Sequence, residues 1–273
     1  MKEELIKRIK LIPPLPRTFL EIAKICNKSD GTISELSKVV EQDPMFVANL
    51  LKMINSNLYG FRREITNVTQ AVSLLGMKEI YALCAVVSVK KLLKVDMEPY
   101  GIDPEKFALL SNVQGALMRD WLKLFKPKAT ETLFMPALLQ EIGKVIIADE
   151  VIRNDESFQF RSDIETAIDV EQVEKDYVGS TSSEVTAKIF EHWKFDDFIV
   201  NIIKYSDSYH EAPQEYKEFA IYLRVAKTAV SINSPLSERS IARACHILES
   251  ESMDEFDFLN AVEKCKMDYE GQI

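Results

Sequence analysis

The stretch from Glu41 to Gly60 reads EQDPMFVANLLKMINSNLYG, and its spacing decides the fold. Asp43 before Pro44 supplies a capping carboxylate and a first-turn proline, the two signals of a helix start. Phe46, Leu50 and Ile54 then recur every four residues, with Val47 and Leu51 beside them, so one face of the helix is apolar. Asn57-Leu58-Tyr59-Gly60 breaks the period. Gly60 is expected to supply a positive φ there. Tyr59 is expected to bury its ring, and the Asn55 amide to bond a loop backbone.

The same pattern runs outward in both directions. Thr32 with Glu35, Thr181 with Glu184 and Ser252 with Glu255 have the spacing of capping boxes. Val68, Ala71, Val72 and Leu75 form an apolar face that Gly76 closes, and residues 77–94 read as one long apolar helix with a lysine-rich end. Asp103-Pro104 opens another helix, lined by Leu109, Val113, Leu117, Trp121 and Leu124. Val185, Ile189 and Trp193, and then Phe219, Leu223, Ala226 and Val230, repeat the spacing. Alternation at period two is scarce. The 8 glycines in 273 residues fall below the usual ~7%, so few positive-φ turns are available. The fold class is therefore read as all-α. No repeat of about 34 residues marks a solenoid. Residues 97–105, with Pro99, Gly101 and Pro104, read as a linker. The expected organisation is an N-terminal helical lobe over 1–97, a second helical lobe over 98–208, and a helical extension over 209–273 packed on it.

Composition limits what the chain can do. It is 47% hydrophobic and 28% charged, ordinary for a globular protein with a sizeable core. The net charge of −9 disfavours broad electrostatic binding to nucleic acid or anionic lipid. No run of roughly 18 apolar residues suggests a membrane span. The opening MKEELIKRIKLIPPLP does not read as a secretory signal. Cys26, Cys84, Cys245 and Cys265 form no close pair and read as buried, reduced thiols of a cytoplasmic protein. Residues 149–176 hold 10 Asp or Glu against 3 Lys or Arg and read as a solvated acidic face.

Three pieces carry a resemblance. They are Ile12-Pro13-Pro14-Leu15-Pro16, the stretch quoted first, and ITNVTQAVSLLGMKEI over 65–80. In this order and spacing they resemble the HDOD family, the output-domain relatives of the HD metal-dependent phosphohydrolases, over roughly residues 10–208. The resemblance implies a multi-helical HD-like fold with an N-terminal helical lobe and, by analogy, a place in bacterial signal transduction.

It also implies where a metal site would stand. In catalytic HD enzymes a His-Asp pair precedes Ile-Gly-Lys. Here ALLQEIGKVII over 137–147 carries Gln140-Glu141 in that place. The first histidine of those enzymes would fall at or near Ser111, another at Ser182, and a later His pair at Ser206-Asp207. These six residues, Ser111, Gln140, Glu141, Ser182, Ser206 and Asp207, are what the resemblance implies as a vestigial pocket.

A direct count agrees. The chain has three histidines, His192, His210 and His246, far apart in sequence and without HxxxH spacing. His192 reads as a surface or interhelix residue, His210 lies in a polar break, and His246 reads as a hydrogen-bonded core residue. Glutamine and serine are poor transition-metal ligands, and Glu141 with Asp207 makes only a weak case for a hard cation. There is no nucleophile elbow, phosphate loop or dinucleotide fingerprint. No catalytic residue, metal or cofactor is expected. The chain is read as a non-catalytic regulatory module that recognises a protein partner, with the old pocket as a place for a small ligand. Asn57, Tyr59, Arg62 and Arg63 are the candidate partner surface. The alternative is a metal-dependent phosphohydrolase with a rebuilt carboxylate site.

Overall fold

The computed structural model describes every residue except Asn57, Leu58, Gly60, Lys94, Val95 and Ile273, and the side chains of Lys91 and Leu92. The described residues are helical or irregular, with no strand. They divide into two compact units, Pro13–Leu93 and a larger one made of Met1–Ile12 with Lys94–Ile273. These units differ from the lobes drawn from sequence. The first helix belongs with the larger unit, and residues 209–273 are part of that unit's own core.

The smaller unit holds α2 (Arg17–Cys26), α3 (Ile33–Val40), α4 (Pro44–Ile54), α5 (Val68–Leu75) and α6 (Met77–Leu92). The α6 helix is its centre. Ile80 and every residue from Ala82 to Val89 are buried, so this helix is apolar nearly all round and α2, α4 and α5 pack on it. The caps follow the sequence. Thr32 and Glu35 complete a capping box on α3, and the Asp43 carboxylate accepts from the Phe46 N–H at the start of α4. Asn55 closes α4 and clasps the returning loop, donating to the Ile65 carbonyl and accepting from its N–H, both at 2.8 Å. Gly76 takes a φ of 85°, open to glycine, and joins α5 to α6 without a gap.

The larger unit is built from α1 (Glu3–Leu11), α7 (Pro104–Leu122), α8 (Pro127–Leu139), α9 (Gly143–Arg153), α10 (Ser157–Thr166), α11 (Val170–Val178), α12 (Ser182–His192), α13 (Asp197–Lys204), α14 (Gln214–Ala229), α15 (Glu238–Ser250) and α16 (Phe256–Asp268). Trp121 of α7 meets Tyr222 of α14 and Phe258 of α16 edge-to-face, each at 5.1 Å between ring centres. That cluster ties the C-terminal helices into the core. Trp193 is also buried.

Three local expectations change. Ser252 does not cap α16; it takes a φ of 57°, and the helix starts after Glu255 with no side-chain cap. Leu124 lies beyond the end of α7 and is 85% exposed. Residues 97–105 are not a loose linker. Met97 and Tyr100 are buried, and a 3₁₀ turn at Glu98–Tyr100 packs against α9 and α10.

Candidate functional site

The site lies where α9, α11, α12 and α14 converge inside the larger unit. Its geometry begins with Gly143, the first residue of α9. A side chain there would run into the Ser182 carbonyl, and the Gly143 N–H donates to Thr186 Oγ1 at 2.9 Å. The glycine thus lets α9 approach the first turn of α12 closely. Thr181 caps α12 in a complete capping box, which fixes Ser182 and Ser183 at its entry. Lys144, the next residue, reaches Ser182 with its ammonium group.

Two buried ammonium groups fill the centre. Lys144 Nζ lies 2.5 Å from Glu174 Oε1, 3.1 Å from Glu141 Oε2 and 3.3 Å from Ser182 Oγ, and it sits over the Tyr100 ring. Lys227 Nζ donates to Asp207 at 2.8 and 3.1 Å and to Ser182 and Ser183 Oγ at 3.1 Å each. It also lies 3.4 Å from Glu171 and 3.7 Å from Glu141. Arg224, one turn earlier on α14, bridges Glu171 at 2.8 Å and Asp207 at 3.0 Å. Glu174 is completely enclosed; it accepts from Tyr100 Oη at 3.0 Å and from the Ser182 N–H at 2.6 Å. Four carboxylates (Glu141, Glu171, Glu174, Asp207) thus face three cations (Lys144, Arg224, Lys227).

Their titration follows from that packing. Burial alone would lower the Lys144 and Lys227 pKa values, but the surrounding carboxylates outweigh it and hold both above the ordinary lysine range. Arg224 behaves likewise. Burial pushes Glu171 and Asp207 up, yet the adjacent cations prevail and hold both below the usual carboxylate range. At Glu174 burial wins, and its pKa is raised. Burial, reinforced by the Glu174 charge, also raises Tyr100. The space left open beside Glu141, Lys144, Arg224 and Lys227 is about 30 Å³, room for on the order of one or two waters.

Of the six residues singled out as a vestigial pocket, Glu141, Ser182 and Asp207 meet directly in this network. Ser206 joins through Ser183, to which it donates at 2.8 Å. Gln140 is fully buried beside it and faces elsewhere. Its amide donates to Gln114 Oε1 at 2.9 Å, and Gln114 donates in turn to the Val230 carbonyl. Ser111 is half-buried and donates to the Phe107 carbonyl of its own helix. Among the described residues, no three His, Cys, Asp or Glu side chains are grouped so as to hold a metal ion.

Sequence reasoning missed Lys144, Glu171, Glu174, Arg224, Lys227, Gln114 and Tyr100. The acidic stretch 149–176 is not simply a solvated face, since Glu150 and Glu174 are buried and Glu171 nearly so. A signal existed. Glu171 and Glu174 stand three apart, as do Arg224 and Lys227, and the basic pair interrupts the apolar run FAIYLRVAKTAV. Two helices with opposite charges at matching spacing are complementary.

The histidines stand apart from the network. His192 Nε2 lies 2.8 Å from the Ile12 carbonyl, and His210 is largely exposed. His246 is 81% exposed, which overturns its reading as a core residue. Of the candidate partner surface, Arg62 and Arg63 are exposed, and Tyr59 is half-buried with its ring stacked near Phe61. Asn57 and Gly60 lie outside the described residues. The four cysteines are free, three of them buried and Cys245 half-buried. No helix among the described residues is long and apolar enough to cross a membrane.

The chain is similar to several known proteins. An uncharacterised protein of Treponema pallidum (strain Nichols) is 25% identical over 219 residues, 77% of this chain; the chain spans only 40% of that relative's length. A virulence factor of Campylobacter jejuni subsp. jejuni shares 25% identity and a TM-score of 0.60, covering 98% of this chain and all of its own. An HDOD domain protein of unknown function from Geobacter sulfurreducens superposes with a TM-score of 0.67 at 18% identity, over 97% of this chain and 93% of its own. The HDOD domain profile matches residues 12–209. The chain therefore belongs to the HDOD domain family, with an all-helical HD-like fold.

Proposed function

We propose that this chain is a non-catalytic regulatory module of bacterial signalling, acting in the cytoplasm by recognising a protein partner. One observation carries the reading. The ammonium groups of Lys144 and Lys227 stand among Glu141, Ser182 and Asp207, positions at which the family resemblance implies metal ligands, with Glu174 beside them. A lysine in contact with these carboxylates supplies the positive charge that a divalent ion would otherwise supply. It offers no open position for water and no Lewis acid, the two things an HD-type hydrolysis needs from a metal. The residual space of about 30 Å³ is too small for an organic ligand, so modulation through the pocket itself is not favoured.

The network then serves to lock α9, α11, α12 and α14 in one arrangement. The recognition surface lies elsewhere, and the exposed Arg62 and Arg63, with Tyr59 beside them, remain its best candidate. The test pairs two measurements on the full chain. Phosphodiester and phosphomonoester hydrolysis is assayed with Mg²⁺, Mn²⁺, Zn²⁺ and Fe²⁺ added in turn. No turnover above the metal-only blank is expected. Affinity capture from the source organism should retain a protein that Arg62→Glu/Arg63→Glu loses. Metal-dependent turnover that disappears in Asp207→Asn would replace this reading with the phosphohydrolase one.

A further inference from the structure

We propose that the cleft between α14 and α15 binds a small molecule carrying two or more phosphate charges. The cleft has a volume of about 560 Å³, within the range typical of small-molecule sites. Arg224 stands on its α14 wall. Arg239, Ala242, Arg243 and His246 line the other wall, at the i, i+3, i+4 and i+7 spacing of one α15 face. His210 closes one side, its ring 4.0 Å from that of Tyr209. A concentration of three guanidinium and two imidazole groups on a chain of net charge −9 calls for an explanation.

The two α15 arginines are not consumed by the fold. Arg239 is exposed and has no ion-pair or hydrogen-bond partner among the described residues. Arg243 donates to the Ile168 carbonyl at 2.6 Å and meets no carboxylate. The one carboxylate in the lining, Asp207, is already held by Lys227 and Arg224. Glu251 approaches His210 at 3.3 Å but also pairs with Lys217 at 2.8 Å, and Glu249 lies 3.9 Å from His246. Arg239 and Arg243 therefore stand in the cleft without a carboxylate partner among the described residues.

Arg239 is also misplaced by the rules of helix stability. It occupies the first turn of α15 next to Glu238, where the macrodipole favours anions, while the last turn holds no basic residue. A cation in that position, without a carboxylate to neutralise it, is the kind of local conflict found at functional sites. Paired guanidinium groups one turn apart suit phosphate oxygens, which accept two parallel N–H bonds from each arginine. A volume of about 560 Å³ between two helices matches a nucleotide-sized molecule better than an extended acidic peptide.

The three histidines make the test direct, because the imidazole carbon–proton NMR spectrum of the full chain has only three sets of signals. Pyrophosphate and then a nucleoside triphosphate are titrated in. The His210 and His246 signals should shift and saturate, while His192, bonded to the Ile12 carbonyl, stays still. Arg239→Ala/Arg243→Ala should weaken binding at least about tenfold, and Arg239→Lys/Arg243→Lys should restore part of it. Both pairs should keep the wild-type circular dichroism spectrum. A triphosphate that binds more tightly than pyrophosphate identifies a nucleotide; equal binding identifies a bare polyphosphate. The proposal is overturned if neither phosphate produces a saturable shift at millimolar concentration, if the alanine pair binds as well as wild type, or if only an acidic peptide moves the two signals. The hydrolysis assay is independent of these outcomes, so the failure of one reading leaves the other intact.

Discussion

Lys227 Nζ lies 2.8 Å from Asp207 Oδ1 and 3.1 Å from Oδ2, and both side chains are almost completely enclosed. An ion pair in this setting contributes little net stability against an apolar pair of the same size, because desolvating both charges offsets their attraction. Removing one partner is different, since it strands a buried charge. Lys227→Met should therefore destabilise the chain by about 3–5 kcal/mol, and Lys144→Met by a similar amount. Lys227→Met with Asp207→Leu should recover part of that loss. Urea unfolding of the single and double variants measures both effects. A single-variant loss below about 1 kcal/mol would mean that the network is wet and loosely held.

The network also sets the response to acid. Asp207 and Glu171 titrate below their ordinary values in the folded chain. Their contribution is present above the unfolded carboxylate values, about 4, and is lost as the pH falls through the lower folded values. Glu174 is raised, so it works in the opposite sense and offsets part of the loss. Lys144, Arg224 and Lys227 are raised, so their contribution is complete below their unfolded values and is lost only as the pH climbs through the folded ones. The urea midpoint should stay nearly level between about pH 6 and 9 and drop below about pH 4. A midpoint that rises between pH 6 and 3 would show Glu174 outweighing the other two carboxylates.

Trp121 packs against Tyr222 and Phe258 in the core of the larger unit. Trp121→Ala should cost roughly 3–5 kcal/mol, and Trp193→Ala, also buried, a comparable amount. Thermal melts of either variant within a degree or two of wild type would place that ring outside the cooperative core.

Charge reversal at Arg62 and Arg63 should leave folding unchanged, because both side chains are exposed. It should slow association with an acidic partner, weakening a rate rather than a fold. Surface capture kinetics at two salt concentrations separates the cases. An unchanged association rate at low salt would move the recognition surface elsewhere.

Much of the fold was legible because helix signals are local. Asp43 and Asp103 cap the helices their positions announce, and the boxes at Thr32 and Thr181 form as spaced. Ser252 shows the limit of a spacing read alone, since its positive φ carries the chain the wrong way for a cap. The site was less legible. Glu141, Ser182 and Asp207 came from the family resemblance, which marks where ligands would be. The lysines that meet them belong to α9 and α14, and no local period couples residues 144 and 227. Burial of a charge depends on partners far along the chain, as Glu174 with Tyr100 and Lys144 shows. The acidic run taken alone does not reveal which of its members turn inward; the matching spacing of Glu171 and Glu174 with Arg224 and Lys227 is the one clue in the sequence.

We propose that the ammonium groups of Lys144 and Lys227 hold the place of metal ions between Glu141 and Asp207. Elemental analysis of chain purified from metal-supplemented cultures tests it most directly. Zn, Fe and Mn are each expected well below one per chain, unchanged in Glu141→Gln or Asp207→Asn. About one metal per chain in the wild type, lost in either variant, would contradict it.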